Sequence, residues 1–203
     1  MLIAVERLLV RVRQVPSRAD ELLALHGRLR RERAAVPSAA ERAAALEVRT
    51  HKHQVAAALA EVTACASCAR GKRPPRGAFP GGDCCSAVTA DLFSDDEVAA
   101  LAQAGTRPRD LRPPRTVHAG CAFRGETGCT LAVAHRPGRC VHYTCATLRR
   151  ELRTRGELAR IDTLLDGLKG AQQRFAEQRD ARLDDELLAP LEAAVLSLSG
   201  GRR

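Results

Sequence analysis

The sequence predicts a mainly α-helical protein in which helical hairpin or bundle arms flank a loop-rich middle. Three observations predict it. Leucine, valine and alanine recur at helical spacing before residue 63 and again after residue 146. The block 64–145 holds all eight cysteines and seven of the ten prolines, and its glycines are concentrated too, which favours loops and turns there. Aromatic residues are only 2% of the chain, so a middle so poor in large side chains needs a staple besides apolar burial. The chain therefore divides into a helical arm over 1–63, a cysteine-bearing domain over 64–145 and a second helical arm over 146–203.

The first arm starts a helix after Pro16-Ser17, where Ser17 and Asp20 have the spacing of a reciprocal N-terminal cap. Leu22, Leu25 and Leu29 follow on one face. Pro37-Ser38 restarts the pattern with Ser38 and Glu41, and Val55, Leu59 and Val62 continue an apolar stripe. Two helices joined near Pro37 make an antiparallel hairpin. In the middle block one clear helix starts at Ser94, capped through Glu97, with Val98 and Leu101 facing inward. The second arm carries Leu148, Leu152, Ile161, Leu165 and Leu168, with a break or bend expected near Gly167 and Gly170. A last helical segment carries Leu183, Leu187, Leu188, Leu191, Val195 and Leu198 and frays at Gly200-Gly201-Arg202-Arg203.

Charge narrows the classes. The formal net charge is +9, almost all of the excess being arginine spread along the whole chain. Nucleic-acid binding favours a concentrated basic face, and single-stranded ligands add stacking aromatics. With no Trp, one Tyr and four Phe, an arginine-rich solvated helix surface is expected and nucleic acid is not expected as a partner. Residues 1–15 are interrupted by Glu6, Arg7, Arg11 and Arg13 and lack the features of a secretory signal. No uncharged run approaches the ~18 residues of a membrane span, so no membrane is expected. A cytoplasmic, reducing location follows as the expectation, and there cysteines persist as thiols or metal ligands rather than disulfides.

The cysteines are Cys65, Cys68, Cys84, Cys85, Cys121, Cys129, Cys140 and Cys145. The two-residue gap of Cys65-Ala-Ser-Cys68 lets two thiolates turn onto one ion, as tetrahedral zinc requires; iron–sulfur clusters use the same donors. Side chains of the adjacent Cys84-Cys85 diverge in extended backbone, which suits two ions or two corners of a cluster. Gly81-Gly82 before them permits turns that aim amides at sulfur. Gly125 and Gly128 suit a turn bringing Cys121 back toward Cys129, and Pro137-Gly138 makes a second turn ahead of Cys140. Cysteines acting as small buried hydrophobes, or paired in disulfides, fit less well: they are paired, flanked by glycine, and follow no signal sequence. His118, His135 and His142 lie near cysteines in sequence, but eight sulfurs already suffice for two tetrahedral sites, so supporting or surface roles are expected for them. His26, His51 and His53 lie on the N-terminal helices and carry no argument. Eight thiolates around two zinc ions would lower the net charge to about +5.

This order of motifs resembles the YkgJ-like cysteine-cluster family, described as a zinc- or iron-chelating domain. The matching positions are Cys65 and Cys68, the Cys84-Cys85 pair, Cys121-Ala-Phe123, Cys129-Thr-Leu131, Arg136-Pro137 and Cys140, with Cys145 matching a cysteine of some members. The chain departs from that pattern in a longer stretch between Cys68 and Cys84 and in Val141, where the family has arginine. The resemblance covers residues 65–145 and implies metal binding, with all eight cysteines as ligands and zinc or iron, including an iron–sulfur cluster, as the cofactor. Three functions follow as expectations. The first is a structural or metal-handling module whose helical arms bind a protein partner or self-associate. The second is an iron–sulfur protein with a redox or protein-modifying role, and the third is a thiol redox switch. No paired carboxylates, Ser/His/Asp arrangement or phosphate-binding loop marks an enzyme site.

Overall fold

The computed structural model describes residues 17–63, 89–114, 121–125 and 128–200; for residues 90, 91 and 191–200 it describes the backbone. Cys65, Cys68, Cys84, Cys85, His118, the stretch before Pro16 and the last three residues lie outside the described residues. The predicted mainly helical class holds. In chain order the elements are α1 (Arg18–Ala34), α2 (Ala39–Ala58), a short α3 (Thr89–Leu92), α4 (Asp95–Gln103), strands β1 (Arg124–Gly125) and β2 (Gly128–Cys129), α5 (Gly138–His142), α6 (Ala146–Thr154) and a long α7 (Leu158–Gly200). None of the described helices is long and apolar enough to cross a membrane.

Local chemistry sets most of the helix ends. The Ser17 side chain accepts from the Asp20 amide at 3.2 Å, and the Asp20 carboxylate accepts from the Ser17 amide at 3.1 Å, the reciprocal cap expected there. Ser38 and Ser94 each accept from the amide three residues on. Their glutamates, Glu41 and Glu97, do not turn back to the cap; both are buried in the interior instead. α4 ends at Gly105 (φ +97°), where the Thr106 amide donates to Leu101 and the Gly105 amide to Ala102. α6 ends the same way at Gly156 (φ +70°), with bonds from Glu157 to Leu152 and from Gly156 to Arg153. This paired closure needs a left-handed residue, which glycine adopts without cost.

The chain therefore breaks between α6 and α7 at Gly156, not near Gly167 and Gly170. Both of those glycines lie inside the continuous α7. Gly167 serves packing: a Cβ there would come within 3.0 Å of the His51 ring on α2. α2 lies along α7 more extensively than any other pair of described elements, α1 lies on α4, and α4 also touches α2 and α7. The N- and C-terminal helices thus pack on each other.

Three buried groups hold the helices in one body. Leu25 and Leu29 of α1 meet Leu101, Leu111 and the edge-to-face pair Phe93–Phe123, whose ring centres are 5.6 Å apart. Ala44, Ala45 and Val48 of α2 meet Ala99, Leu168 and Phe175; the small residues allow close helix approach. Leu148, Leu152 and Ile161 form a third group against the end of α2. Leu22, Leu59 and Val62 pack at the edges of these groups. The leucines and valines that the periodicity placed inward on α1, α2, α4 and α6 are therefore where it placed them.

Candidate metal centre

Four of the eight candidate ligands fall within the described residues: Cys121, Cys129, Cys140 and Cys145. The structure brings the first two together. The Arg124 amide donates to the Cys121 carbonyl at 3.2 Å, closing a turn directly before β1. β1 and β2 then pair antiparallel, with Arg124 opposite Cys129 and Gly125 opposite Gly128. Gly128 takes φ +125°, a conformation that side chains disfavour, so the expected glycine turn is what returns the chain. The Thr130 amide and hydroxyl both bond the Phe123 carbonyl at 2.9 Å and extend the hairpin.

Cys121 is buried and Cys129 half-buried, both against the group around Leu25 and Phe93. Burial pushes the Cys121 thiol up from its ordinary range, and charge on Cys129 pushes it further in the same direction. The Phe123 amide, the Thr89 hydroxyl and the Arg18 charge pull the other way. Cys121 therefore holds its proton more tightly than a free cysteine does. Thr89 matters for a second reason: its hydroxyl accepts from the buried Ala122 amide at 3.1 Å, fixing the start of α3 against the Cys121 turn.

The other two cysteines have separate surroundings. Cys140 sits exposed on α5, which has Pro137 as its N-cap and starts at Gly138, so the predicted Pro137-Gly138 turn is the start of a short helix. Beneath it lies a polar group that sequence reasoning did not find. Lys52 of α2 is fully buried, donates to the Arg136 carbonyl at 2.8 Å and stands 3.7 Å from the Glu97 carboxylate. Glu97 in turn accepts from the Gly138 amide at 2.8 Å and from Gln172 of α7 at 2.7 Å. A Cβ on Gly138 would collide with both Gln172 and Glu97, so α5 reaches this carboxylate only because the residue is glycine. Burial lowers the Lys52 ammonium from its ordinary value, while Glu97 and then Cys140 hold it up. One signal was available: Lys52 falls in the apolar register of Val48 and Val55, where a lysine must be partnered.

Cys145 is the N-cap of α6. Its sulfur accepts from the Leu148 amide at 3.5 Å and it packs against the Leu148–Leu152–Ile161 group. The Thr63 amide, where α2 runs out, donates to Glu151 of the same helix at 3.0 Å. His135 meets the Thr106 hydroxyl at 2.9 Å, and burial lowers its basicity; the His142 ring stands 3.2 Å from the Gly138 carbonyl. Among the described residues, no three histidine, cysteine or acidic side chains converge as a metal cage. The chain matches no family model, no curated protein and no solved structure.

Proposed function

We propose that the chain is a metal-binding cysteine-cluster protein whose zinc or iron is held by thiolates, the metal being mainly structural or serving metal handling or partner binding. The observation that supports this best is the contact of Thr89 with the Cys121 turn. Cys85 is four residues before Thr89, so at most about 14 Å of chain separates it from the Cys121–Cys129 hairpin. At the other end of segment 64–88, Thr63 is tied to α6, whose cap is Cys145, and Cys65 follows two residues later. The four cysteines of that segment are thereby tethered at both ends to elements that carry other cysteines. Soft thiolates in sets of four suit zinc and iron–sulfur centres alike. The order of cysteines, which resembles the YkgJ-like family, supports the same reading. Segment 64–88, poor in large apolar residues, gains most from such a staple, since a structural zinc supplies on the order of 10 kcal/mol.

The test is metal analysis of anaerobically purified protein with an absorption spectrum. Zinc in at least equimolar amount and a colourless solution identify zinc; a brown solution absorbing near about 400 nm identifies an iron–sulfur centre. Protein free of both metals, with unchanged circular dichroism and protease resistance after chelation, would refute the proposal. Cys145→Ser separates two roles of one residue. Serine caps a helix at least as well as cysteine, so a drop in bound metal with α6 intact marks Cys145 as a ligand.

A further inference from the structure

We propose that one end of the body, formed by Arg30 and Arg33 of α1, Arg49 of α2 and Arg107, Arg109 and Arg112 of the turn after α4, binds the phosphate backbone of double-stranded nucleic acid. The proposal rests on none of the cysteines. In the sequence these arginines are dispersed among others; folding brings them together. On the α7 side of the body arginines close onto acids of other helices: Arg174 onto Glu47, Arg179 onto Glu32 and Asp96, and Arg182 onto Glu41. The six at the end of α4 do not. All six are exposed. The acid among them, Asp110, stands 4.0 Å from Arg109 and spends its other oxygen on the Arg107 amide. No other acidic side chain bonds them among the described residues.

Backbone carbonyls hold two of the six in place. Arg33 Nη1 donates to the Thr106 carbonyl at 3.1 Å, and Arg49 Nη1 donates to the Ala104 carbonyl at 2.9 Å. Those carbonyls are two residues apart, so the two guanidiniums lie within about 13 Å of each other. His26, Arg30 and Arg33 fall within about 60° on α1, and the His26 ring meets the Leu111 carbonyl at 3.0 Å, next to Arg112. His135, which bonds Thr106, is made less basic by burial; Asp110 opposes this, and the Arg49, Lys52 and His53 charges add to it. The positive potential is thus shared across α1, α2 and the turn. A guanidinium has five donors, and Arg33 and Arg49 each spend one on the body, leaving a fork that fits phosphate. Forks held in place suit a stiff phosphate array better than a flexible acidic peptide. α1, α2 and residues 104–112 contain no Phe, Tyr or Trp, so the bases of a single strand find nothing to stack on there. Leu23 and Leu46 are exposed on the same two helices, which makes an anionic bilayer the competing surface.

The experiment is fluorescence anisotropy of the full chain, as purified, with DNA and RNA duplexes of about 20 base pairs, a single strand, polyglutamate and phosphatidylserine vesicles. Both duplexes should bind with Kd of about 1–100 µM, weakening as salt rises with a log–log slope of about −3 to −5; binding of either duplex supports the proposal. Arg107→Gln, Arg109→Gln and Arg112→Gln together should weaken binding at least about tenfold and flatten that slope by about 2 to 3, with circular dichroism unchanged. Lysine at the same three positions should keep binding within about threefold, because the charge is retained. Arg150→Gln, Arg153→Gln and Arg160→Gln together remove the same charge from α6 and the start of α7 and should change binding less than about twofold. The proposal is overturned if neither duplex binds by about 100 µM protein at about 50 mM salt, or if the two triple glutamine variants weaken binding equally. It is also overturned if the single strand, polyglutamate or the vesicles bind as tightly as the duplexes.

Discussion

The two parts of α7 are written in the same alphabet of leucine, alanine, arginine and acid, yet they meet opposite surroundings. From Leu158 to Arg182 the helix lies in the body, its apolar side covered by α2 and its last arginines paired with acids of other helices. Arg179 bonds Glu32 and Asp96 at 2.9 Å each, and Arg182 bonds Glu41 at 2.7 Å and Glu186 at 2.7 Å. From Leu183 to Pro190 the helix leaves the body, and Leu183, Leu187 and Leu188 are exposed. The difference teaches that a helix's apolar content says little about where it packs; the neighbours that cover it decide. The Arg182–Glu41 pair marks the boundary.

That contrast can be broken from the inside first. Phe175→Ala removes a fully buried ring from the α2–α7 contact and should cost about 4 kcal/mol in urea denaturation, among the largest effects a single truncation gives. Glu41→Gln should cost about 3 kcal/mol, because Glu41 is fully buried and its loss leaves the Arg182 guanidinium with only the exposed Glu186 as a charged partner. The Glu41 hydrogen bond holds that guanidinium's pKa above its ordinary value, so Arg182 stays charged throughout the native pH range. Gly170→Ala sharpens the comparison by its sign. Its nearest neighbour is the flexible end of Arg174 at 3.3 Å, so the alanine should raise stability by about 0.5–1 kcal/mol, seen as a Tm higher by a few degrees. A Tm that falls instead would mean α7 is not continuous there. Last and smallest, Leu187→Ala should stay within about 0.5 kcal/mol of the parent in urea denaturation, since the side chain is largely exposed.

Reading the residues alone went furthest where the rules are local. Ser17, Ser38 and Ser94 start helices because a side-chain oxygen three residues ahead of a free amide is satisfied within one turn. The glycine turn joining Cys121 to Cys129 was legible for the same reason. The expected bend at Gly167 and Gly170 was not realised, because inside a packed helix a glycine's flexibility is overridden by the neighbours that hold it. Glu41 and Glu97 fit the spacing of caps, but their carboxylates serve Arg182 and the Lys52 site, partners far away in sequence. Cys140 and Cys145 lie five residues apart yet have different surroundings, one over Lys52 and one capping α6. Only the path of the chain between them creates that separation.

By itself the sequence determined where three helices begin, at Ser17, Ser38 and Ser94, which residues turn inward on them, and the glycine turn between Cys121 and Cys129. All of these depend on periodicity and on bonds spanning a few residues. Tertiary structure alone decided that Lys52, Glu97 and Gln172 share one buried site, that Gly138 and Gly167 are needed for close approach, and that Thr89 rests on the Cys121 turn. Those contacts join residues 33 to 75 positions apart, or more, and such pairs meet only after helices have docked. Their energy lies in burial and partnering rather than in local conformational preference.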